Sequence, residues 1–197
     1  EDRKNIQTWI AKSLLKSSGI WGSGLDTLLT ALREVIRSHG TERFPIEELE
    51  TQMARRGKSL VFEEEEIEEL LDLQYGNART FSLLTLLFPF LDLHNHFHVD
   101  HVFPQARFKK TTLRKAGISE DDIDVFLDQR DCIANLQLLD GAANIEKQAT
   151  MPAEWLQASY PDESARTGYC DQHLLGDVPE SLNEFQLFYN ARRERLR

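Results

Sequence analysis

Four polar residues in the middle of the chain are of the types that can hydrolyse a phosphodiester. Asp100 and His101 place a carboxylate beside an imidazole, and Asn135 and Asn144 add two amides. The reaction needs an activated water and positive charge against the phosphorus. A hard divalent cation supplies that charge and prefers carboxylate and amide oxygens. A neutral imidazole is a suitable base near pH 7.

These residue types predict a division of roles. We expect Asp100 and Asn144 to hold a cation of the Mg²⁺ or Mn²⁺ class, and His101 to take the proton from water. Asn135 is expected to fix the ring of His101 by a hydrogen bond.

The elements that carry these residues differ from the rest of the chain. Residues 97–104 are rich in β-branched and aromatic side chains and end at a proline, which predicts a strand. Residues 133–139 alternate and predict a second strand, and Asp140 can cap a following helix that holds Asn144. Strand, strand and helix form one ββα unit within residues 97–150.

Helical patterns surround this unit. Apolar residues recur at helical spacing through the first ninety residues, and an apolar side recurs from about Glu180 onwards. We predict a mainly α fold with a small β-hairpin, in which a helical domain encloses the ββα unit. The expected parts are a helical segment at 1–92, the ββα unit at 93–160 and a C-terminal helical segment at 161–197 that packs on the same core.

Three motifs resemble those of the HNH, or ββα-metal, nucleases. They are the D-H-I-x-P-Q-like strand His98-Val-Asp-His-Val-Phe-Pro-Gln105, the G-N-L-x-L-L-like strand Ile133-Ala-Asn-Leu-Gln-Leu-Leu139 and the N-x-x-K-like helix Asn144-Ile-Glu-Lys147. More narrowly, the layout is similar to the C-terminal nuclease domain of GmrSD-type modification-dependent restriction enzymes, including SspE-like phage-defence proteins. The motif resemblance covers about residues 97–150.

The resemblance implies a role for each matching residue. Asp100 and Asn144 are implied metal ligands, His101 the general base and Asn135 its orienter, and Lys147 would lie near the scissile phosphate. Two positions depart from the family pattern. Ala134 replaces the usual glycine, and His98 stands where many relatives have an acid, so that His98 is a further candidate ligand or partner of a ligand.

Charge is unevenly distributed along this acidic chain, whose net charge is −10. From Glu42 to Asp72 there are eleven acids against four bases, whereas residues 101–118 contain no acid and five bases. Cations beside a phosphate-cleaving site predict contacts to the DNA backbone. The predicted DNA-binding residues are those of this strip and two from the C-terminal helix: Arg107, Lys109, Lys110, Arg114, Lys115, Arg192 and Arg193.

The implied activity is metal-dependent cleavage of double-stranded DNA. Because nothing in the chain reads as a base-recognition module, selectivity is expected from an N-terminal NTPase or sensor domain, which the family carries and this chain lacks. Two cysteines without C-x-x-C spacing, and no signal peptide or long apolar run, predict a cytoplasmic protein with no membrane segment.

Two rival functions stay open at this stage. The first is a catalytically silent DNA- or protein-binding module that keeps an HNH-like fold. The second is a zinc-stabilised interaction domain, for which imidazoles and thiols are the candidate ligands. Those candidates are His94, His96, His98 and His101, together with Cys132, Cys170 and His173.

Overall fold

The computed structural model describes residues 2–16 and 19–197. It divides into two compact units, Glu1–Leu70 and Leu71–Arg197. The fold is mainly helical with a two-stranded antiparallel sheet, as the sequence predicts. Within the described ranges, no helix is both long and apolar enough to span a membrane.

The first unit is built from amphipathic helices around an apolar core. Its helices are α1 (Asp2–Leu15), α2 (Leu25–His39), α3 (Ile46–Ala54) and α4 (Glu64–Leu71). Leu28 and Leu32 of α2 pack with Leu49 and Met53 of α3, because residues three and four apart share one helical face. The acidic side of α4 stays at the surface.

The second unit contains the sheet and the remaining helices. These elements are α5 (Ala78–Leu87), β1 (Phe97–His101), α6 (Lys110–Lys115), α7 (Glu120–Gln129), β2 (Leu136–Asp140), α8 (Gly141–Lys147), α9 (Pro152–Ser159), α10 (Glu163–Gln172) and α11 (Phe185–Leu196). Phe103, Phe108 and Phe126 surround Phe185 of α11 with ring centroids 4.8–5.5 Å apart. This aromatic cluster holds α11 against the segment between the strands.

The strands pair so that Phe97 faces Asp140 and His101 faces Leu136. β2 passes directly into α8, whose first turn is capped by the Asp140 carboxylate accepting from the backbone N of Ala142 at 3.0 Å. α8 then packs against both strands. The predicted order of strand, strand and helix is therefore present, although residues 133–135 form a short 3-10 turn rather than the start of the second strand.

The division after Leu70 differs from the boundary at residue 92 predicted from the sequence. Residues 71–92 belong with the second unit because their backbone bonds to it. The amide of Ile133 donates to the carbonyl of Leu73 at 3.0 Å, and the amide of Tyr75 donates to the carbonyl of Asp131 at 2.7 Å.

Candidate functional site

The Asp100 carboxylate forms an ion pair on the face of β1 that α8 covers. Its Oδ2 accepts hydrogen bonds from the Lys147 ammonium at 2.7 Å and from the Gln137 amide at 3.1 Å. Gln137 faces Asp100 in the strand register, so the two side chains share one face. Oδ1 of Asp100 makes no hydrogen bond within residues 2–16 and 19–197.

Lys147 ties α8 to β1. Its side chain is 1% exposed and also donates to the backbone carbonyl of His101 at 2.5 Å. Burial lowers the pKa of its ammonium, and the charge of Asp100 acts in the opposite direction. The family resemblance implies a place for Lys147 near the scissile phosphate, whereas in the structure its ammonium is committed to Asp100 and the His101 carbonyl.

Asn144 and His98 lie on the same faces of α8 and β1 as the two members of this ion pair. Gly141, Asn144 and Lys147 follow one another at three-residue spacing and so share one face of α8. At the far end of that face, the point where a Cβ would stand on Gly141 is 3.5 Å from Nε2 of His98. His98 and Asp100 share one face of β1 because strand residues alternate. Asn144 is half-buried. It lies about one helical turn from Gly141, which contacts His98, and one turn from Lys147, which contacts Asp100.

Three side chains here carry the atom types that bind a divalent cation with mixed oxygen and nitrogen ligands. The set comprises Oδ1 of Asp100, the amide oxygen of Asn144 and the exposed imidazole of His98. The ammonium of Lys147 on the other oxygen of Asp100 opposes such a cation by charge repulsion. In the described part of the chain, no group of three or more His, Cys, Asp or Glu side chains is placed to hold a metal ion.

The His101 ring lies on the opposite face of the sheet from Asp100, since neighbouring strand residues alternate. Its Nε2 is 2.8 Å from Oδ1 of Asp131, and the ring of Tyr75 packs against it with a centroid distance of 4.7 Å. His101 is 7% exposed. Burial lowers the pKa of the imidazole more than the Asp131 carboxylate raises it, which keeps the ring neutral near pH 7.

Asp131 is held from its other side by donors. Arg130 donates two hydrogen bonds to Oδ2, from Nε at 2.9 Å and from Nη2 at 2.6 Å. Gln105 donates from its amide to Oδ1 at 3.1 Å. Burial raises the pKa of the Asp131 carboxyl, but the hydrogen bonds from Arg130 and His101 outweigh burial and the pKa is lowered. Asp131 is therefore a carboxylate that only accepts.

Asn135 holds the chain that follows β1 rather than the His101 ring. Its Oδ1 accepts from the backbone N of Phe103 at 2.8 Å, and its Nδ2 donates to the carbonyls of Phe103 at 3.1 Å and Arg130 at 2.8 Å. The reason is the register. Leu136 is the residue opposite His101, so Asn135 lies one position beyond the strand end, beside residues 102–103.

The basic strip is partly neutralised by α7. Lys110 pairs with Asp124 at 3.2 Å, and Arg114 makes two hydrogen bonds to Glu120 at 2.5 and 3.0 Å. All four side chains are more than half exposed. The strip is free of acids in sequence but is faced by acids in space, which weakens its positive potential.

Other members of the strip are exposed. Arg107 donates from Nε to the carbonyl of Ala149, just after the C-terminus of α8, at 3.0 Å. Lys109, which precedes α6, and Lys115, its last residue, lie at the surface. Arg107 thus contacts the segment that follows α8.

The two predicted DNA-binding arginines of α11 do not form an exposed pair. Arg192 has no exposed surface, and its guanidinium donates to the carbonyls of Ala134 at 3.1 Å and His173 at 3.4 Å. A side chain with no exposure cannot reach a phosphate, so Arg192 is a core residue and not a DNA contact. Arg193 is partly exposed and pairs with Asp72 at 2.8 Å.

The histidine and cysteine candidates for zinc are spread apart. β1 begins at Phe97, so His94 and His96 precede the strand, and His94 pairs with Asp92 at 2.5 Å. His173 stacks on Tyr169 with a centroid distance of 4.0 Å. These separate contacts give zinc stabilisation no positive support.

Comparison with protein-family models and with curated proteins gives no match to this chain. A functional interpretation therefore depends on the motifs and the geometry.

Sequence reasoning missed two partners in this site. Asp131 and Gln137 contact His101 and Asp100 from positions thirty or more residues away in the chain. Gln137 was accessible to prediction, because a polar residue in an otherwise apolar strand points to a buried polar partner. Nothing local marks Asp131, whose role depends on the path of the chain.

Proposed function

We propose that this chain is a metal-dependent DNA endonuclease of the HNH type, acting as the effector of a restriction or phage-defence protein. The observation that carries the proposal is the packing of α8 on the two strands. It sets Lys147 against Asp100 and Gly141 against His98, with Asn144 between these two residues on α8, and His101, which follows Asp100, bonds to the Asp131 carboxylate.

The chemistry divides between the two sides of β1. His101 takes a proton from water, whose oxygen attacks the phosphorus in line with the departing 3′ oxygen. Asp100, Asn144 and His98 would hold Mg²⁺ or Mn²⁺, which supplies positive charge against the phosphate and the departing oxygen when it is bound. Lys147 and Gln137 fix the Asp100 carboxylate through Oδ2, and Oδ1 is the oxygen proposed to bind the cation.

Backbone contacts to double-stranded DNA are proposed for Arg107, Lys109 and Lys115, which flank the site or lie near it in the chain. Lys110, Arg114 and Arg193 contribute less because each already pairs with an acid. Selectivity is proposed to come from an N-terminal NTPase or sensor domain of the same protein. These elements bind and place the DNA, and the strand–helix unit cleaves it.

A second candidate is a catalytically silent module that binds DNA or protein through the same fold. One observation favours it, namely that the Lys147 ammonium already neutralises Asp100. A silent module binds DNA and leaves it intact at every concentration of divalent cation.

Cleavage of supercoiled plasmid tests the proposal. The chain is incubated with plasmid and Mg²⁺ or Mn²⁺, with and without excess chelator, and the relaxed and linear products are quantified on gels. We compare Asn144→Ala, which removes a candidate ligand, with Asn190→Ala, the matched change at an exposed position of α11. The proposal predicts cutting that chelator abolishes, that Asn144→Ala shifts to a roughly tenfold or greater Mg²⁺ concentration, and that Asn190→Ala leaves unchanged.

Two other outcomes overturn the proposal. Retarded plasmid without product at any metal concentration identifies the silent module. Cutting that is identical in native chain and Asn144→Ala removes this face from the reaction. Metal analysis of the purified chain addresses the zinc alternative, which predicts stoichiometric zinc that survives dialysis.

A further inference from the structure

The contacts around His101 assign a role to a residue outside the motifs. We propose that Asp131 is the positioning residue of the site: it accepts the hydrogen bond from Nε2–H of His101 and thereby leaves the Nδ1 lone pair as the atom that takes a proton from water. This inference rests on the nuclease function proposed above.

Hydrogen-bond donors surround the Asp131 carboxylate. Oδ2 accepts two hydrogen bonds from Arg130, and Oδ1 accepts one from the Gln105 amide. A guanidinium can only donate, so the carboxylate is surrounded by donors. The hydrogen shared between Oδ1 and His101 therefore belongs to Nε2. A neutral imidazole carries one N–H, which leaves Nδ1 without a proton.

The Nδ1 atom of His101 has no hydrogen-bond partner among the described residues, 2–16 and 19–197. It is also not among the fully buried side-chain nitrogens that lack a partner. An unprotonated ring nitrogen with no protein partner and some contact with solvent can accept a proton from water. Nδ1 takes the proton, the water oxygen forms the bond to phosphorus, and the P–O electron pair leaves on the 3′ oxygen, which solvent protonates.

Asp131 and Tyr75 together hold the His101 ring in position. The backbone carbonyl of Asp131 accepts from the amide of Tyr75 at 2.7 Å, and the Tyr75 ring packs on the His101 ring. Asp131 thus fixes the imidazole twice, by its side chain in the ring plane and through Tyr75 on the ring face. A positioned ring keeps one nitrogen aimed at one place, as general-base catalysis requires.

Asp131→Asn is the sharpest variant because it replaces one carboxylate oxygen by an NH₂ group and keeps the shape. Arg130 can only donate, so the amide oxygen of the new side chain must face Arg130 and its NH₂ must face His101. The Gln105 amide, which donates to Oδ1 in the native chain, then has to turn and present its oxygen. Nε2 then becomes the acceptor and the proton moves to Nδ1. The ring stays in place but presents the wrong nitrogen. Asp171→Asn, at an exposed position of α10, is the matched control.

Two readouts are measured on the native chain and both variants. Long-range ¹H–¹⁵N spectra report the tautomer of His101, whose signals are assigned by their loss in His101→Gln. Plasmid nicking at saturating Mg²⁺ reports kcat and KM. We expect Asp131→Asn to move the His101 proton from Nε2 to Nδ1 and to lower kcat at least about a hundredfold with KM within about twofold. Asp171→Asn should change neither.

The readouts separate failure of this inference from failure of the proposed function. If the native chain does not cut DNA, the nuclease proposal fails and the spectra still test Asp131. A native ring already protonated on Nδ1, or a tautomer unchanged in Asp131→Asn, overturns the positioning role. If Asp131→Asn is unfolded, the test uses Asp131→Glu, which keeps the carboxylate acceptor. Asp131→Glu should then be more active than Asp131→Asn, and equal activity of the two variants also overturns the positioning role.

Discussion

Two imidazoles are buried in the second unit, and their surroundings differ in one respect that matters for chemistry. The backbone carbonyl of His101 accepts a hydrogen bond from the buried cation Lys147, and that of His173 accepts from the buried cation Arg192. Burial is the largest influence on both rings and lowers both pKa values, that of His173 to about 4.

The partners of the two rings are different. His101 bonds to the Asp131 carboxylate, whereas His173 lies among Tyr169, Phe88 and Phe90 and its buried Nδ1 has no partner among the described residues. Burial makes an imidazole neutral, but a carboxylate decides which nitrogen holds the proton. We interpret His101 as a base and His173 as part of the core.

Replacing Lys147, the buried cation next to His101, should cause the largest loss in the free energy of unfolding. Lys147→Met leaves the Asp100 carboxylate, 15% exposed, without its ammonium. Removing one partner of a buried ion pair costs about 3–5 kcal/mol, so we expect a loss of roughly 3 kcal/mol in the free energy of unfolding, measured by urea denaturation. Lys115→Met, at the surface, should change it by less than about 0.5 kcal/mol. A loss no larger than that of Lys115→Met would contradict the ion pair.

The buried His173 ring should make the free energy of unfolding depend on pH. Its folded pKa of about 4 lies below the unfolded value of about 6.5, so protons bind the unfolded chain more strongly. The stabilisation is complete above about pH 6.5 and is lost as the pH falls towards 4. We expect His173→Phe to reduce the loss of unfolding free energy across this window by roughly 2–3 kcal/mol.

The measurement is urea denaturation at a series of pH values between 7 and 4. Phenylalanine suits the surrounding aromatic rings, so neutral-pH stability should be kept. A pH dependence that is the same in the native chain and His173→Phe would show that the His173 ring is not the buried neutral group described here.

Arg192→Met is expected to have a smaller effect than Lys147→Met. Arg192 has carbonyl partners and no carboxylate partner among the described residues, and its buried Nε is unpartnered. The change leaves two carbonyls without donors but leaves no bare charge, which we expect to cost about 1–2 kcal/mol. The same variant should bind DNA as the native chain does. Weaker DNA binding by a fully folded Arg192→Met would show that Arg192 contacts DNA.

The smallest effects are expected in the basic strip. Lys109→Ala and Lys115→Ala should each lower DNA affinity and reduce the slope of log affinity against log salt by about one. Lys110→Ala and Arg114→Ala should reduce it less because Asp124 and Glu120 already face these cations. Fluorescence anisotropy with a labelled duplex at several salt concentrations measures the slopes. Equal slopes for all four variants would mean that the ion pairs with α7 open on binding.

The sequence predicted the elements whose signals are local. Asp140 was identified as a helix cap, and its carboxylate caps α8 in the structure. Within the helical segment predicted at 161–197, the bounds of α10 were not predicted, because none of its residues is buried and it has no apolar stripe, although Asp162 caps it. α6 and α9 are six and eight residues long, which gives a periodic pattern little room.

The site was predictable only in its motif residues. Asp100 and Lys147 came from the motifs, but their ion pair depends on how α8 crosses β1. Arg192 was placed at the surface because arginines usually lie there. Its burial follows from carbonyls contributed by Ala134 and His173, which are distant in sequence. Contacts between separate segments set the charge of each group, and no single segment encodes them.

The most direct test compares the two imidazoles in one assay. Single-turnover nicking of supercoiled plasmid in Mg²⁺ is measured for His101→Ala, His173→Phe and the native chain, with His39→Ala in α2 as the matched control for the alanine change. We predict that His101→Ala loses at least about a hundredfold in rate, while the other two variants keep the native rate. Cutting by His101→Ala at the native rate would contradict the assignment of His101 as the base.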